Sequence, residues 1–283
     1  MFNSKIVIVL LVLLKFHNYE GCGPDKTGSQ SPPGYDLSDP VKITLPSGLD
    51  EISGIFYYPK DSSVFAEIDE DGMLFKIYMD GSGKIKQWHY DKKHDFEDIV
   101  MHDSTFYLLI SNGDIETLKF EGDSIIKTKS QFPDASKKAN EFETLYYDPS
   151  LGLVMLCKNC EDDKKKVVTA FACKPDSSVY NVAFQIDVKP IAEKSKEEKF
   201  HFKPSAAAIN PLTDELYILA SVNKLLVVAD RSGNVKNVYT LDPVTFNQPE
   251  GITFTPSGDL LISNEKGEED NATILIFKPS KKK

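Results

Sequence analysis

Arginine is almost missing from this chain. Lysine and arginine together number 33 in 283 residues, and Arg231 is the sole arginine. The guanidinium fork is the usual means of gripping phosphate bidentately, so its scarcity argues against a phosphate-handling site. Positive charge is also in deficit: the formal net charge is −10 and the pI about 5.1. This argues against general nucleic-acid binding, which needs a basic face. No GxSxG, HExxH or phosphate-cradling glycine loop occurs, which removes the common hydrolase and nucleotide signatures. Histidines are few and scattered (His17, His89, His94, His102, His201). A lone His201 in "FHFKPSAAAINP" reads as structural.

Long hydrophobic runs are lacking as well. "IVIVLLVLL" (6–14) has the length of a signal-peptide core and is too short to span a bilayer. Residues 1–21 are therefore expected to be a signal peptide. Gly21-Cys22 follows, then the polar stretch "GPDKTGSQSPPGYDLSDP". This order resembles a bacterial lipoprotein, with Cys22 as the acylated residue and 22–40 as a flexible linker. Tyr19 and Glu20 depart from the usual aliphatic and small residues before that cysteine. The expectation is an exported monomer, lipid-anchored to a membrane of the cell envelope. "NAT" (271–273) is formally a glycosylation acceptor; a bacterial lipoprotein would leave it bare.

Cysteine is scarce, with four in all. "CKNC" holds Cys157 and Cys160, and Cys173 follows. Zinc would want a second pair or nearby histidines. One disulfide or none, with buried thiols, is the simpler expectation in an oxidising compartment.

What the chain does have is self-similarity. Five segments align: "DEISGIFYYPKDSSVFAEIDEDGMLFKIYM", "FEDIVMHDSTFYLLISNGDIETLKF", "FETLYYDPSLGLVMLCKN", "PSAAAINPLTDELYILASVNKLLVVAD" and "PEGITFTPSGDLLISNEKGEEDNATILIF". Each opens on a polar residue followed by a short apolar strand, a turn and further strands. The lead residues are Glu51, Glu97, Glu143, Ser205 and Glu250, spaced by 46, 46, 62 and 45 residues. The long interval contains "KPIAEKSKEEKF" (189–200), a charged insertion read as a loop.

A period of about 45 residues with about four strands per unit is the mark of a β-propeller. The expected domain is all-β and covers 41–280, with five four-stranded blades. The fifth unit is one strand short, and "VKITLP" (41–46) can supply it, closing the ring by pairing the chain ends. A sixth, irregular blade within 160–200 stays open, because "KKVVTAFACKP" and "VYNVAFQIDV" supply strands of ambiguous assignment.

In a propeller the first strand of each blade lines the central channel. Glu51, Glu97, Glu143 and Glu250 would converge near one mouth and repel one another, requiring a cation, raised pKa values or a wide wet channel. Calcium, a hard cation with oxygen ligands, is the natural solution. The alternative is that each glutamate accepts backbone N–H groups of a neighbouring blade and locks the ring. Ser205 leaves a gap in the acids. A second tier at the end of each second strand holds Glu67 and Asp69, Asn112, Asn159, Asn223, and Asn264 with Glu265. These either line the same mouth with Ser205 or serve as turn residues. "EIDEDGM" is not an EF-hand, because its twelfth position is Tyr78 and strands flank it; Asp71-Gly72 reads as a hairpin turn.

"DEISGIFYYP", "DFEDIV", "EFETLYYDP", "KPSAAAINPLTDELYILAS" and "QPEGITFTPSGDLLISNE" together resemble the SdiA-regulated (YjiK-like) β-propeller family over roughly 41–279. The resemblance implies an extracytoplasmic propeller, often lipid-anchored, for which a bound calcium is plausible. It implies no substrate or reaction. Carried over, Glu51, Glu97, Glu143 and Glu250 match the acidic lead positions, and Ser205 the Pro-Ser motif. The insertion at 189–200 and the cysteines of the third unit are departures it does not explain. The expected function is a binding module for an unknown ligand or envelope protein, with calcium at the channel. Whether it is an enzyme stays open. The alternative is a metal-dependent hydrolase, since the "PEGITFTPSGDLLISNE" unit is also similar to gluconolactonase-type and phytase-type blades. A phytase would want Lys158, Lys203 and Lys224 at the mouth to hold phosphate.

Overall fold

The computed structural model describes residues 31–280, apart from 69–71, 93, 123, 134–139, 176 and 196–199. The ring is a five-bladed propeller of four-stranded antiparallel sheets. Strand β1 (Val41–Thr44) comes first. Blade 1 is β2 (Ile52–Tyr58), β3 (Ser63–Ile68), β4 (Met73–Tyr78) and β5 (Ile85–His89). Blade 2 is β6 (Phe96–His102), β7 (Thr105–Ile110), β8 (Ile115–Glu121) and β9 (Ser124–Ser130). Blade 3 is β10 (Glu141–Asp148), β11 (Gly152–Asn159), β12 (Val167–Cys173) and β13 (Asn181–Asp187). Blade 4 is β14 (Ala206–Asn210), β15 (Glu215–Ala220), β16 (Leu225–Ala229) and β17 (Val235–Thr240). Blade 5 is β18 (Pro249–Phe254), β19 (Leu260–Asn264) and β20 (Thr273–Phe277), completed by β1.

Ring closure follows the expected pairing. Val41 opposes Ile276 and Thr44 opposes Thr273. The ambiguous strands of 160–200 are β12 and β13, the outer half of blade 3, so the described residues form five blades and no sixth. The insertion that opens at Lys189 is not a loop throughout. Lys189–Ser195 forms a short helix, α1. Its Ile191 is fully buried in the core shared by blades 3 and 4, and that burial anchors an otherwise charged segment.

Burial falls from the middle of each blade outward. Second strands such as Thr105–Ile110 are buried at every position, because neighbouring blades cover both faces. Outer strands such as Ser124–Ser130 are mostly exposed. Each of the five gaps between blades holds its own apolar cluster. The core is thus a ring of interfaces with no single centre. Part of the expected linker belongs to it: Tyr35 and Leu37 are buried between blades 4 and 5, and the Tyr35 hydroxyl donates to the Gly258 carbonyl at 2.7 Å. Two apolar side chains with a buried partner dock that stretch. The expected signal peptide, residues 1–21, and Cys22 lie outside the described residues.

The turn in "TPSGD" depends on Gly258, whose φ is +90°. A Cβ there would also meet the Leu212 side chain at 2.3 Å.

Leu261 of β19 is 1 % exposed and packs across the blade 5–blade 1 gap. Leu261→Ala is expected to cost about 2–5 kcal/mol in urea denaturation. A loss within error of zero would contradict interlocking blades as the source of stability.

Candidate functional site

The lead glutamates are displayed by a backbone irregularity. In β6 the register skips from Phe96 to Asp98, in β10 from Phe142 to Thr144, and in β18 from Pro249 to Gly251. Glu97, Glu143 and Glu250 are each the extra residue of a β-bulge, re-aimed where the strand enters the channel. Blade 1 differs. Its irregularity lies between Ile52 and Ile55, so Ser53 and Gly54 occupy the bulge. Glu51 precedes the strand and is exposed. The sequence alignment placed Glu51 two residues too early, a shift that strand periodicity alone cannot detect. The ring of inner positions is therefore Ser53, Glu97, Glu143, Ser205 and Glu250: three acids and two hydroxyls.

The chain supplies its own cation. Lys158, from the CKNC loop that ends β11, forms an ion pair with Glu143 and a second with Glu141 at 3.1 Å. Its side chain is only 14 % exposed. Burial, then Asp95, pushes the Glu97 carboxyl up to about 9, with Glu67 and Glu250 adding to the rise and Lys158 opposing it. Glu250 is also raised by burial, against hydrogen bonds from Ser221 and Ser205 and the attraction of Lys158 and Lys224. Burial lowers Lys224, with Glu250 opposing. Lys158 and Lys224 thus reach this mouth, as a phosphate site would need, but they face carboxylates. The backbone N–H of Lys203 donates to Asn223.

The second tier divides. Glu67 is fully buried, accepts the Gly54 N–H at 2.9 Å and adds charge beside Glu97. The asparagines act mainly on loops. Asn112 Oδ1 accepts the Asp114 N–H, an Asx turn. Asn159 is exposed opposite Glu141. Asn223 ties Lys203 N–H to the His201 carbonyl. Asn264 donates to the Thr245 carbonyl and Thr273 hydroxyl, and Glu265 accepts from Gln248 at 2.9 Å. Asp69 lies outside the described residues.

Among the described residues, the acids of the mouth do not gather three carboxylates tightly enough for a direct chelate. The one such group is Cys157, Cys160 and Asp163. There the cysteines are joined as a disulfide, and Asp163 is occupied by the Thr169 N–H and hydroxyl. A ready four-glutamate calcium cage is thus absent: Glu51 lies outside it and Glu143 is bound to Lys158.

Glu250 ties blade 5 to the Ser205 and Ser221 hydroxyls of blade 4, and other residues add further locks to the ring. Asp98 is fully buried and accepts N–H groups of Ile99 at 2.8 Å and Leu145 at 2.7 Å, joining blade 2 to blade 3. Ser205 donates to the Pro249 carbonyl, and Ser263 to that of Ser53. Gly54 and Gly251 let the inner strands touch: a Cβ on Gly54 would lie 2.5 Å from Asp98 Oδ1, and one on Gly251 2.6 Å from the Ser53 carbonyl. The later residues of the same inner strands line an apolar cavity of about 310 Å³, to which none of the lead residues contributes. Sequence reading missed both Asp98 and the cavity. The signal for the cavity was the apolar residue that closes several inner strands just before a proline, as in "YYP" and "FTP".

The SdiA-regulated family profile matches residues 33–267. The chain belongs to the SdiA-regulated family. No curated protein sequence matches it. Among solved structures, this SdiA-regulated propeller is similar to a Myxococcus xanthus glutaminyl cyclase at 12 % identity and TM-score 0.56, covering 85 % of this chain and 97 % of that one. A luciferin-regenerating enzyme gives 12 % and 0.51, with coverage of 85 % and 95 %. A Thermus protein described as a putative glucose dehydrogenase gives 10 % and 0.50, with 84 % and 100 %. At such identities the likeness is one of fold alone.

Two predictions follow from the clamp and the buried acid of this SdiA-regulated propeller. Asp98→Ala strands buried N–H groups and should cost about 1–3 kcal/mol for each one left unpaired, read by chemical denaturation; an unchanged midpoint would remove the clamp. The second concerns pH. Glu97 holds its proton to about 9 in the fold, against an ordinary 4.5. The folded state therefore binds more protons between these values, and its contribution to stability declines as pH rises through that window. Thermal midpoints measured from pH 5 to 9 should fall less steeply in Glu97→Gln than in the native chain. Parallel slopes would show that Glu97 is not the titrating group.

Proposed function

We propose that this protein is an exported, membrane-anchored binding module whose acidic channel mouth takes a ligand carrying positive charge, calcium being the simplest candidate. The observation that carries this reading is the imbalance at the mouth. Glu97, Glu143 and Glu250 converge with Glu67 and Asp95 nearby, and among the described residues the lysines named as acting on them are Lys158 and Lys224. Glu97 sits in no ion pair among the described residues and keeps a proton that an incoming cation would displace. With no preformed chelate, an ion here retains much of its water, and binding is expected to be modest. The Cys157–Cys160 disulfide supports an oxidising compartment, in keeping with the signal sequence and Cys22. Envelope localisation, acylation of Cys22 and a protein partner at the propeller faces belong to the same proposal.

Calorimetric titration of the chelator-treated chain with calcium tests it. Binding should release protons at neutral pH, vanish in Glu97→Gln plus Glu250→Gln, and tighten in Lys158→Gln, where the competing ammonium is gone. Absence of heat in the native chain and in Lys158→Gln alike would refute a cation site. The hydrolase alternative stands or falls on turnover of lactones or phosphate esters by the calcium-loaded chain.

A further inference from the structure

The far end of the channel has the opposite chemistry to the mouth, and nothing in the cation reading uses it. All five inner strands contribute to its cavity of about 310 Å³. The deep part is aliphatic: Ile55, Ile99, Leu145 and Ile252. The rim is aromatic: Tyr57, Tyr147 and Phe254. We propose that this well is a second binding site, for a neutral, planar apolar molecule of one or two fused rings.

Three observations define that class. The first is charge. No Lys, Arg or His lines the well, and Asp98 is its one acid. Both Asp98 oxygens already accept backbone N–H groups, at 2.8 and 2.7 Å. An ion entering here would lose hydration without a partner, so charged ligands are selected against. The second is size. A cavity of about 150 Å³ lined by apolar side chains accommodates benzene, and this one is roughly twice that volume. Together with its apolar lining, it falls at the small end of ligand pockets. The third is a rim held in place before any ligand arrives. The His102 ring stacks on Tyr147 with centroids 3.9 Å apart and planes at 16°. Phe254 is braced edge-on by Tyr217 at 5.3 Å and, at a tilt of 51°, by Tyr35 at 6.4 Å. Fixed aromatic faces around the well favour a flat ring that can meet them offset or edge-on. Preorganisation also spares the cost of ordering side chains on binding.

The neutral dye 1-N-phenylnaphthylamine is a suitable probe. Titrated into the full-length chain, its emission should shift to the blue and saturate at one dye per chain. Ala208→Trp, which fills the well from β14, should weaken binding by about tenfold or more while the circular dichroism spectrum is unchanged. Should that variant fail to fold, Met101→Trp on the half-buried rim gives the same readout. Naphthalene should raise the thermal midpoint of the native chain and leave that of the filled variant where it is. Glu97→Gln plus Glu250→Gln, at the opposite mouth, should bind the dye as the native chain does. Non-saturating dye fluorescence, equal affinity in the filled variants, or loss of binding in the mouth variant would each overturn the proposal. None of these outcomes depends on whether calcium binds.

Discussion

Five inner strands have to meet around one axis, and in a five-bladed ring they meet almost in contact. Gly54 and Gly251 are the places where no side chain fits, since a Cβ would fall within 2.6 Å of a neighbouring strand's atoms. Asp98 turns that crowding into cohesion, abutting Gly54 of blade 1 while accepting the Leu145 N–H of blade 3. Most else follows from this pinch. It holds neighbouring inner strands in contact between the acidic starts of those strands and the apolar cavity lined by their later residues. Near the start of three inner strands a bulge takes up an extra residue and presents Glu97, Glu143 or Glu250.

The crowded acids are managed with the resources of the chain. A lysine from the second strand of blade 3 enters the ring, and the remaining excess is relieved by keeping a proton on Glu97. Buried like charges ionise only with a compensating partner, and the lysines that reach these acids, Lys158 and Lys224, are fewer than the acids. The mouth is therefore poised: stable with its proton, and receptive to a cation that replaces it. Lys158 sits at the end of β11 inside the short Cys157–Cys160 disulfide ring, which covalently ties the strand end that carries it. The other depression needs no such balance, because its apolar walls carry no unpaired charge.

Much of the fold was written in the repeat. Period, strand count, the missing fourth strand of blade 5 and its supply from "VKITLP" all follow from spacing and alternation, which are local and periodic properties. The site was legible only in part. Glu97, Glu143 and Glu250 stand out because three blades repeat an apolar–Glu start. Glu51 misled because a shift of two residues in a strand preserves the face, and only the pairing of Ile55 with Ala66 shows that Ser53 holds the equivalent place. Lys158 was named for a different task, since sequence shows that a lysine ends a strand but not which carboxylate it meets across the ring. Asp98 was hidden by its neighbour Glu97, and the apolar well by its construction from five segments distant in the chain. The helix Lys189–Ser195 was masked by its charge, with the lone buried Ile191 as its only apolar anchor.

Closure by β1 has a consequence for how the molecule comes into being. Val41, among the first residues of the domain to emerge, has its partner at Ile276, among the last. Until the fifth blade exists, that first strand has nothing to pair with, and every earlier blade stands in an open arc with a bare apolar flank. Non-local closure of this kind slows folding. It also makes completion all-or-none, because a chain halted anywhere before residue 273 can make blades but not a ring. A nascent chain of this design gains most from whatever keeps its ends apart from other chains until synthesis is done.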